Sequence, residues 1–299
     1  MLRTLWQGKT LPVLVVCAMI TVIWYLGSIW LNADMQRMLF TNNNQTTYTT
    51  AELIEGTWSQ EKPKLPTPGQ IIAELKKTVL DTAPTSKRSL VYHGSVTLSA
   101  TLLGFLIGSL LGMVLAILVV HVQSLDKSLM PWVVASQMIP IIALAPMIVV
   151  IMNQFDITGI VPKAVIAAYL SFFPVTVGMV KGLRSPDPLQ LDLMRTYSAG
   201  KIDTFFKLRV PASVPFLFAS LKVAVAASLV GTVVAELTKS EDGGFGARLL
   251  GGSYYGQTIQ IWAALFAAAA CAWVLVGFVG VADHVVTRTM GARPTGARS

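Results

Sequence analysis

The sequence predicts an all-α integral membrane protein with six transmembrane helices. Three observations carry that expectation. The 299-residue chain is 54% apolar and only 13% charged, with a mean hydropathy of +0.62, whereas soluble domains carry about a quarter charged residues. Its apolar residues gather into runs near the ~20 residues that cross a bilayer as a helix. Its basic residues collect in alternate loops between those runs, as they do on the inner side of a membrane. A chain this apolar has too little polar surface to stay in water. The formal net charge of +8 belongs to those loops, so no nucleic-acid partner is expected.

The first run spans Leu11 to Leu31, without a charge between Lys9 and Asp34. Arg3 and Lys9 ahead of it imitate a secretory signal, but the run is long for one. The sequence that follows, Asn32-Ala33-Asp34-Met35, offers no small-x-small cleavage site, so the helix is expected to be retained. The second run covers about Gly94–Val120, with Gly104, Gly108 and Gly112 at every fourth position. That spacing puts them on one helical face, where another backbone can approach closely. The third run, about Ser128–Ile151, contains Pro140 and Pro146. Each proline removes a backbone donor and kinks its helix. Freed carbonyls at membrane depth need partners from a neighbouring helix or a water-lined path. The fourth, fifth and sixth runs are about Ile160–Val180, Val214–Leu237 and Ile259–Ala282.

Polar groups within the runs are few. Gln137, Tyr169 and Ser171, together with Pro140 and Pro146, are the candidates for a translocation path. Lys222 is expected to snorkel to the inner surface and Glu236 to reach water at the outer end. Cys17 and Cys271 each sit in an apolar run without a CxxC partner and read as small buried hydrophobes.

With the N-terminus in the cytoplasm, the inside carries Arg3, Lys9, Lys127, Lys181, Arg184, Arg195, Lys201, Lys207, Arg209, Arg288, Arg293 and Arg298. The short outer loops carry Lys163, Lys239 and Arg248. Both termini are therefore expected in the cytoplasm. Asn32 to His93 becomes an external segment, and its charges do not count against the topology because long loops translocate regardless of charge. Pro68 to Leu75 within it reads as a short amphipathic helix at the outer surface. The expected organisation is an N-terminal helix with its periplasmic segment over residues 1–93, a five-helix core over 94–285 and a cytoplasmic tail over 286–299. The basic loop 182–213 lies within the core.

Catalytic signals are missing. Gly8-Lys9-Thr10 is not a phosphate-binding loop, because Arg3 stands five residues before Gly8 and no strand precedes it. His93, His121 and His284 lie in three separate segments at membrane edges, without metal-ligand spacing, and read as surface anchors. No GxSxG or HExxH occurs. The expectation is no enzyme, no metal and no cofactor bound by this chain.

The loop from Asp192 to Pro211 is the most informative stretch. It resembles the cytoplasmic coupling loop of permease subunits in bacterial ATP-driven (ABC) importers, whose pattern is Glu-Ala-Ala, a Gly four residues on, and Leu-Pro thirteen residues after that Gly. With Val210-Pro211 on Leu-Pro, the Gly falls on Ser198 and Glu-Ala-Ala on Asp192-Leu193-Met194. Asp192 keeps the carboxylate, Leu193 and Met194 are bulkier than alanine, and Gly200 is expected to serve the turn. Thr196, Lys201, Lys207 and Phe205-Phe206 complete the frame. Leu65-Pro66-Thr67-Pro68 resembles the Leu-Pro-Ser-Pro ahead of the second helix in nitrate/sulfonate/taurine-type permeases. The proline pattern of Met138–Pro146 and the Gly243-Gly244-Phe245-Gly246 loop resemble the same family, so the likeness covers about Leu65 to Val281.

The resemblance implies a type I ABC importer permease of the bacterial inner membrane, working by alternating access. It implies a second permease copy, two ABC ATPase subunits carrying ATP-Mg, and a periplasmic solute-binding protein as partners. The implied solute is a small anion, a sulfonate or a pyrimidine or flavin precursor. Coupling to the ATPase would fall on Asp192, Thr196, Ser198, Gly200, Lys201, Ile202, Phe205, Phe206 and Pro211, with Phe205 and Ile202 as the apolar knob. Tyr254 and Tyr255, in an external aromatic tract, would dock the binding protein or touch an aromatic solute. The alternative classes are an ion-driven secondary transporter, expected to show inverted repeats and mid-span carboxylates, and a regulatory membrane protein that docks a partner.

Overall fold

A computed structural model describes residues 10–44, 47–238 and 242–290. Arg3, Lys9, Lys239, Arg293 and Arg298 lie outside them. The described residues are helical, with no strand among them. In chain order the helices are α1 (Thr10–Asn42), α2 (Thr50–Ser59), α3 (Pro68–Lys76), α4 (Leu90–His121), α5 (Gln123–Ser136), α6 (Ile141–Gln154), α7 (Ile160–Leu183), α8 (Pro188–Thr196), α9 (Lys201–Thr204), α10 (Val210–Thr238), α11 (Phe245–Tyr254) and α12 (Thr258–Thr289).

Among the described residues, five helical stretches are long and apolar enough to cross a membrane: Leu11–Asn42, Leu90–His121, Ile160–Leu183, Lys201–Thr238 and Thr258–Thr289. The third apolar run is not a straight span. It is α5 and α6, bent by 99° at a short break. A proline disfavours helical backbone in the residue before it, and α5 accordingly stops at Ser136 while Pro140 caps α6 in an extended conformation. Counted as one broken span, the pair makes six.

The chain divides into two compact units, one of residues 1–92 with 248–267 and one of 93–247 with 268–299. In the first, α1 outruns the apolar stretch by two to three turns, so Asn32–Asn42 is helix rather than spacer. Buried amides fix this extension. Asn32 Nδ2 donates to the Leu65 carbonyl at 2.9 Å and its Oδ1 accepts from Leu65 N at 3.1 Å. Gln60 Nε2 donates to Gln36 Oε1 at 2.8 Å and to the Asn32 carbonyl at 3.2 Å. Both α2 and α3 open with capping boxes, Thr49 with Glu52 and Thr67 with Gln70, and Pro68 stands in the first turn of α3. There its missing N–H costs nothing.

In the second unit, α4, α7 and α10 pack through small residues. A Cβ on Gly104 would lie 2.6 Å from the Ala164 carbonyl, and one on Gly112 2.6 Å from that of Phe172. On the other side of α7, a Cβ on Gly178 would lie 2.5 Å from Ser220 Cβ. With no hydrophobic force between helices in lipid, such close contact is the main source of association. Gly108→Val is the direct test. Its side chain would meet the Ala168 carbonyl at 2.6 Å as well as the Ser171 hydroxyl. Overpacking should cost about 1–3 kcal/mol, read as a lower melting temperature and lower yield in detergent. A variant that melts like the wild type would contradict this packing.

The polar groups of this bundle correct two expectations. Glu236 does not reach water. It is 0% exposed and accepts from Thr97 Oγ1 at 2.9 Å and from Gly246 N at 2.9 Å. His93 is not a surface anchor but is buried, with Nδ1 accepting from Gly244 N at 3.0 Å. Lys222 pairs with Asp283 of α12 at 2.6 Å. Along the same seam Thr101 Oγ1 donates to Thr232 Oγ1 at 3.0 Å, and Ser228 Oγ donates to the Thr101 carbonyl at 3.1 Å. Hydroxyls spaced four apart on facing helices thus satisfy one another away from lipid.

Candidate functional site

The loop between α7 and α10 folds as two short helices. α8 begins with a capping box in which Asp187 accepts from Leu189 N at 2.8 Å and Gln190 closes back on Asp187 N. It ends in a Schellman motif, with Ser198 N donating to the Arg195 carbonyl at 2.8 Å and Ala199 N to that of Met194 at 2.9 Å. Such a motif needs a left-handed residue at its turn, and Ser198 supplies it with φ 53°. This is the position that aligns with the family's glycine, so the substitution keeps the backbone shape at some conformational cost. Gly200 does not serve that turn. It caps α9 in an extended conformation, φ −66° and ψ 167°.

From α9 the chain runs without interruption into α10 as a helical stretch of 38 residues. Phe205–Arg209 forms a single π-helical turn in which Val210 N reaches back to the Phe205 carbonyl. Pro211 follows directly. A proline ring clashes with the carbonyl four residues earlier, and a widened turn relieves that clash.

The apolar knob differs from the expected one. Phe205 is partly buried against the core of Val119, Val175, Met179 and Leu183 and edge-on to His121. Ile202 and Phe206, four residues apart on one face, are 75% and 64% exposed. They are therefore the protruding pair, and Phe205 is the anchor beneath them. Leu189, Leu193 and Tyr197 form a second exposed apolar row on α8. Its i, i+4, i+8 spacing behind the Asp187 cap is a helical signal present in the sequence and absent from the expected coupling residues. Charges ring both rows: Asp192 pairs with Arg195 at 3.0 Å and Lys207 with Asp203 at 2.6 Å, all exposed, with Lys201 exposed between them. Thr196 Oγ1 bonds the Asp192 carbonyl at 3.0 Å. At the base, Arg209 Nη1 reaches the Leu183 carbonyl at 3.4 Å and Arg184 pairs with Asp126 at 2.8 Å.

The translocation candidates separate into two groups. At the α5–α6 break the Tyr169 hydroxyl donates to the Ser136 carbonyl, one of those freed where α5 ends. Gln137 lies at the same break with its Nε2 buried and unpartnered among the described residues. Pro140 and Pro146 are exposed beside it, as are Met138 and Ile139. Ser171 does not join them. It is fully buried and lies against the Gly104 and Ala168 carbonyls, which makes it part of the α4–α7 contact. Tyr254 and Tyr255, at the end of α11, are both exposed.

Residues 108–291 match the family model of the binding-protein-dependent transport system inner membrane component. The chain belongs to this family. It is 33% identical over 151 residues to a probable ABC transporter permease protein of Haemophilus influenzae, covering 50% of this chain and 60% of that protein. It is 30% identical over 179 residues to the formylaminopyrimidine transport permease protein ThiX of Halalkalibacterium halodurans, covering 60% and 67%. It is 32% identical over 151 residues to the riboflavin transport system permease protein RibX of Chloroflexus aurantiacus, covering 50% and 55%. The matches thus span between about half and two thirds of the length of these relatives.

Proposed function

We propose that this chain is the membrane-spanning half of an ATP-driven importer, pairs with a second copy of itself, and moves a small organic solute by alternating access. The carrying observation is the rigid continuity between the coupling loop and α10, with Ile202 and Phe206 projecting from its start. A helix-borne apolar pair ringed by charge fits a groove on a soluble ATPase and transmits rigid-body motion without chemistry. ATP-Mg sits on that partner, and this chain holds no catalytic residue. By the distribution of basic residues, the loop and both termini face the cytoplasm.

The α5–α6 break supports the paired arrangement. Non-helical backbone at membrane depth is tolerated only inside protein or along a watery cavity, so the exposed surface of Met138–Pro140 does not face lipid. The second copy and the solute path between the copies are the natural cover, with Gln137 and Tyr169 at the path. An ion-driven mechanism finds no support in the carboxylates of the described spans. Glu236 is closed by Thr97 and Gly246, Asp283 by Lys222, Asp34 by Arg37 and Asp203 by Lys207. The names of the relatives support a solute of the formylaminopyrimidine, flavin or sulfonate type, delivered in this proposal by a periplasmic binding protein that docks near Tyr254 and Tyr255.

The test is ATP hydrolysis by the chain in liposomes with its candidate ATPase and binding protein, across formylaminopyrimidines, flavins and sulfonates. The expected result is stimulation by one solute class, lost when the binding protein is omitted. Uptake that follows an ion gradient without ATPase would overturn the proposal.

A further inference from the structure

The first unit holds two cavities on either flank of α3. One, of about 340 Å³, is apolar. Its walls are Cys17, Ile20 and Trp24 of α1, Ile72 and Leu75 of α3, and Phe266 of α12. The other, of about 690 Å³, is polar. It is lined by Lys77, Arg88 and Arg248 together with Glu74 and Asp81, with Gln257 and Gln260 at the start of α12. Among the described residues none of these five charged side chains closes an ion pair. Arg248 Nη2 reaches only the Arg88 carbonyl, at 3.5 Å. Burial pushes the Arg248 guanidinium below its usual pKa, Glu74 opposes that, and the Arg88 charge adds to it. The pocket thus keeps charges of both signs without neutralising them internally.

The two cavities follow one another in depth. On α12, Gln260 of the polar pocket precedes Phe266 of the apolar groove by six residues, about 9 Å of helix rise. Trp262 lies between them, edge-on to Trp24 at 4.9 Å, and the Trp24 indole donates to the Pro66 carbonyl at 2.9 Å. Tryptophans with one apolar face and one polar partner mark the boundary between hydrocarbon and headgroups. The polar pocket therefore sits at headgroup level and the apolar groove below it, within the acyl layer.

We propose that the first unit holds one phospholipid whose headgroup carries both a phosphate and a primary ammonium. The phosphate lies against Arg88, Arg248 and Lys77, the ammonium against Glu74 and Asp81, and one acyl chain fills the groove beside α3. Guanidinium groups match phosphate oxygens in bidentate geometry. The carboxylates then discriminate a zwitterionic headgroup from a purely anionic one, which they repel. The ligand would fasten α3 and α1 to the bilayer surface.

The experiment is native mass spectrometry of the full-length chain, taken from nanodiscs of equal parts dioleoyl phosphatidylethanolamine, phosphatidylglycerol and phosphatidylcholine. The wild type should retain the ethanolamine lipid preferentially. Arg88→Ala/Arg248→Ala should lower retention of all three by about tenfold, equivalent to ~1.4 kcal/mol. Glu74→Gln/Asp81→Asn, at residues exposed enough to leave folding intact, should keep lipid but lose the preference. Ile72→Trp should expel the chain from the groove and lower retention with the headgroup pocket unchanged. Equal retention of the three lipids by the wild type would overturn the proposal, as would undiminished retention by the double arginine variant. If that variant keeps its lipid and loses only binding-protein-stimulated uptake, the pocket is a docking surface for an acidic protein instead. None of these readings depends on which solute the chain transports.

Discussion

Phe206→Asp is expected to abolish ATP-driven uptake while leaving the chain folded. Phe206 is 64% exposed and lies four residues after Ile202 on one face, so what the substitution takes from the fold is an edge-on contact with the Phe205 ring at 4.9 Å. It places a carboxylate where an apolar side chain should enter a partner groove, and buried aromatic anchors of this kind typically carry about 2 kcal/mol or more of binding. Co-purification of the ATPase and uptake should both fall at least tenfold, by about 1.4 kcal/mol or more, with the melting temperature lowered far less than by Phe205→Ala. Ile202→Asp should behave alike. Phe205 gives the contrasting result. Its ring is packed under the loop against the α4–α7–α10 core, so Phe205→Ala should cost about 2–4 kcal/mol of stability, near the low end for buried aromatics. Uptake would then fall together with the melting temperature. If Phe206→Asp retained ATPase binding and uptake, the coupling role of this face would be wrong.

The contrast between Phe205 and Phe206 also shows where the sequence was legible and where it was not. The six apolar runs, the glycine face of the second and the proline punctuation of the third could be read directly, because bilayer thickness and helix geometry leave few alternatives. Which of two adjacent phenylalanines protrudes is set by helical phase. The π-helical turn ahead of Pro211 alters that phase locally, so a simple 3.6-residue count was unreliable there. The Ile202 to Phe206 spacing was nevertheless available as a signal. Ser198 was visible as a departure from the family's glycine, but its left-handed backbone emerged only with the Schellman bonds around it. The break at Pro140 was anticipated as a kink, whereas its 99° angle depends on the packing of α6. Ser171, Glu236 and His93 were misplaced for a common reason. A polar residue in an apolar run reads the same whether it faces a water path or a hydroxyl on the next helix.

Glu236 is where that ambiguity carries the largest consequence. Glu236→Ala is expected to destabilise the second unit and to loosen the start of α11 at Phe245-Gly246. The carboxylate takes one hydroxyl from α4, through Thr97, and one backbone donor from the first turn of α11, through Gly246. Thr97 Oγ1 in turn accepts from Phe245 N at 2.9 Å. Fit is tight as well, since a Cβ on Gly246 would lie 2.7 Å from Glu236 Cβ. Removing the acceptor strands two buried donors, at about 1–3 kcal/mol each, and leaves a void that nothing nearby can fill. Glu236→Gln should recover part of the loss. Its single carbonyl oxygen serves one donor while its amide confronts the other. Thermal melting should therefore rank wild type above Gln and Gln above Ala. Function should move in a second, distinguishable way. Glu236 lies near the far end of the 38-residue helical stretch that begins in the loop after α8, so under the proposed coupling a loosened contact there would dissipate the displacement imposed by the partner ATPase. Glu236→Gln in the assembled importer should hydrolyse ATP without proportionate uptake. Hydrolysis and uptake falling in step would mean that the residue serves stability alone, and an Ala variant that melts like the wild type would remove the buried-acceptor account altogether.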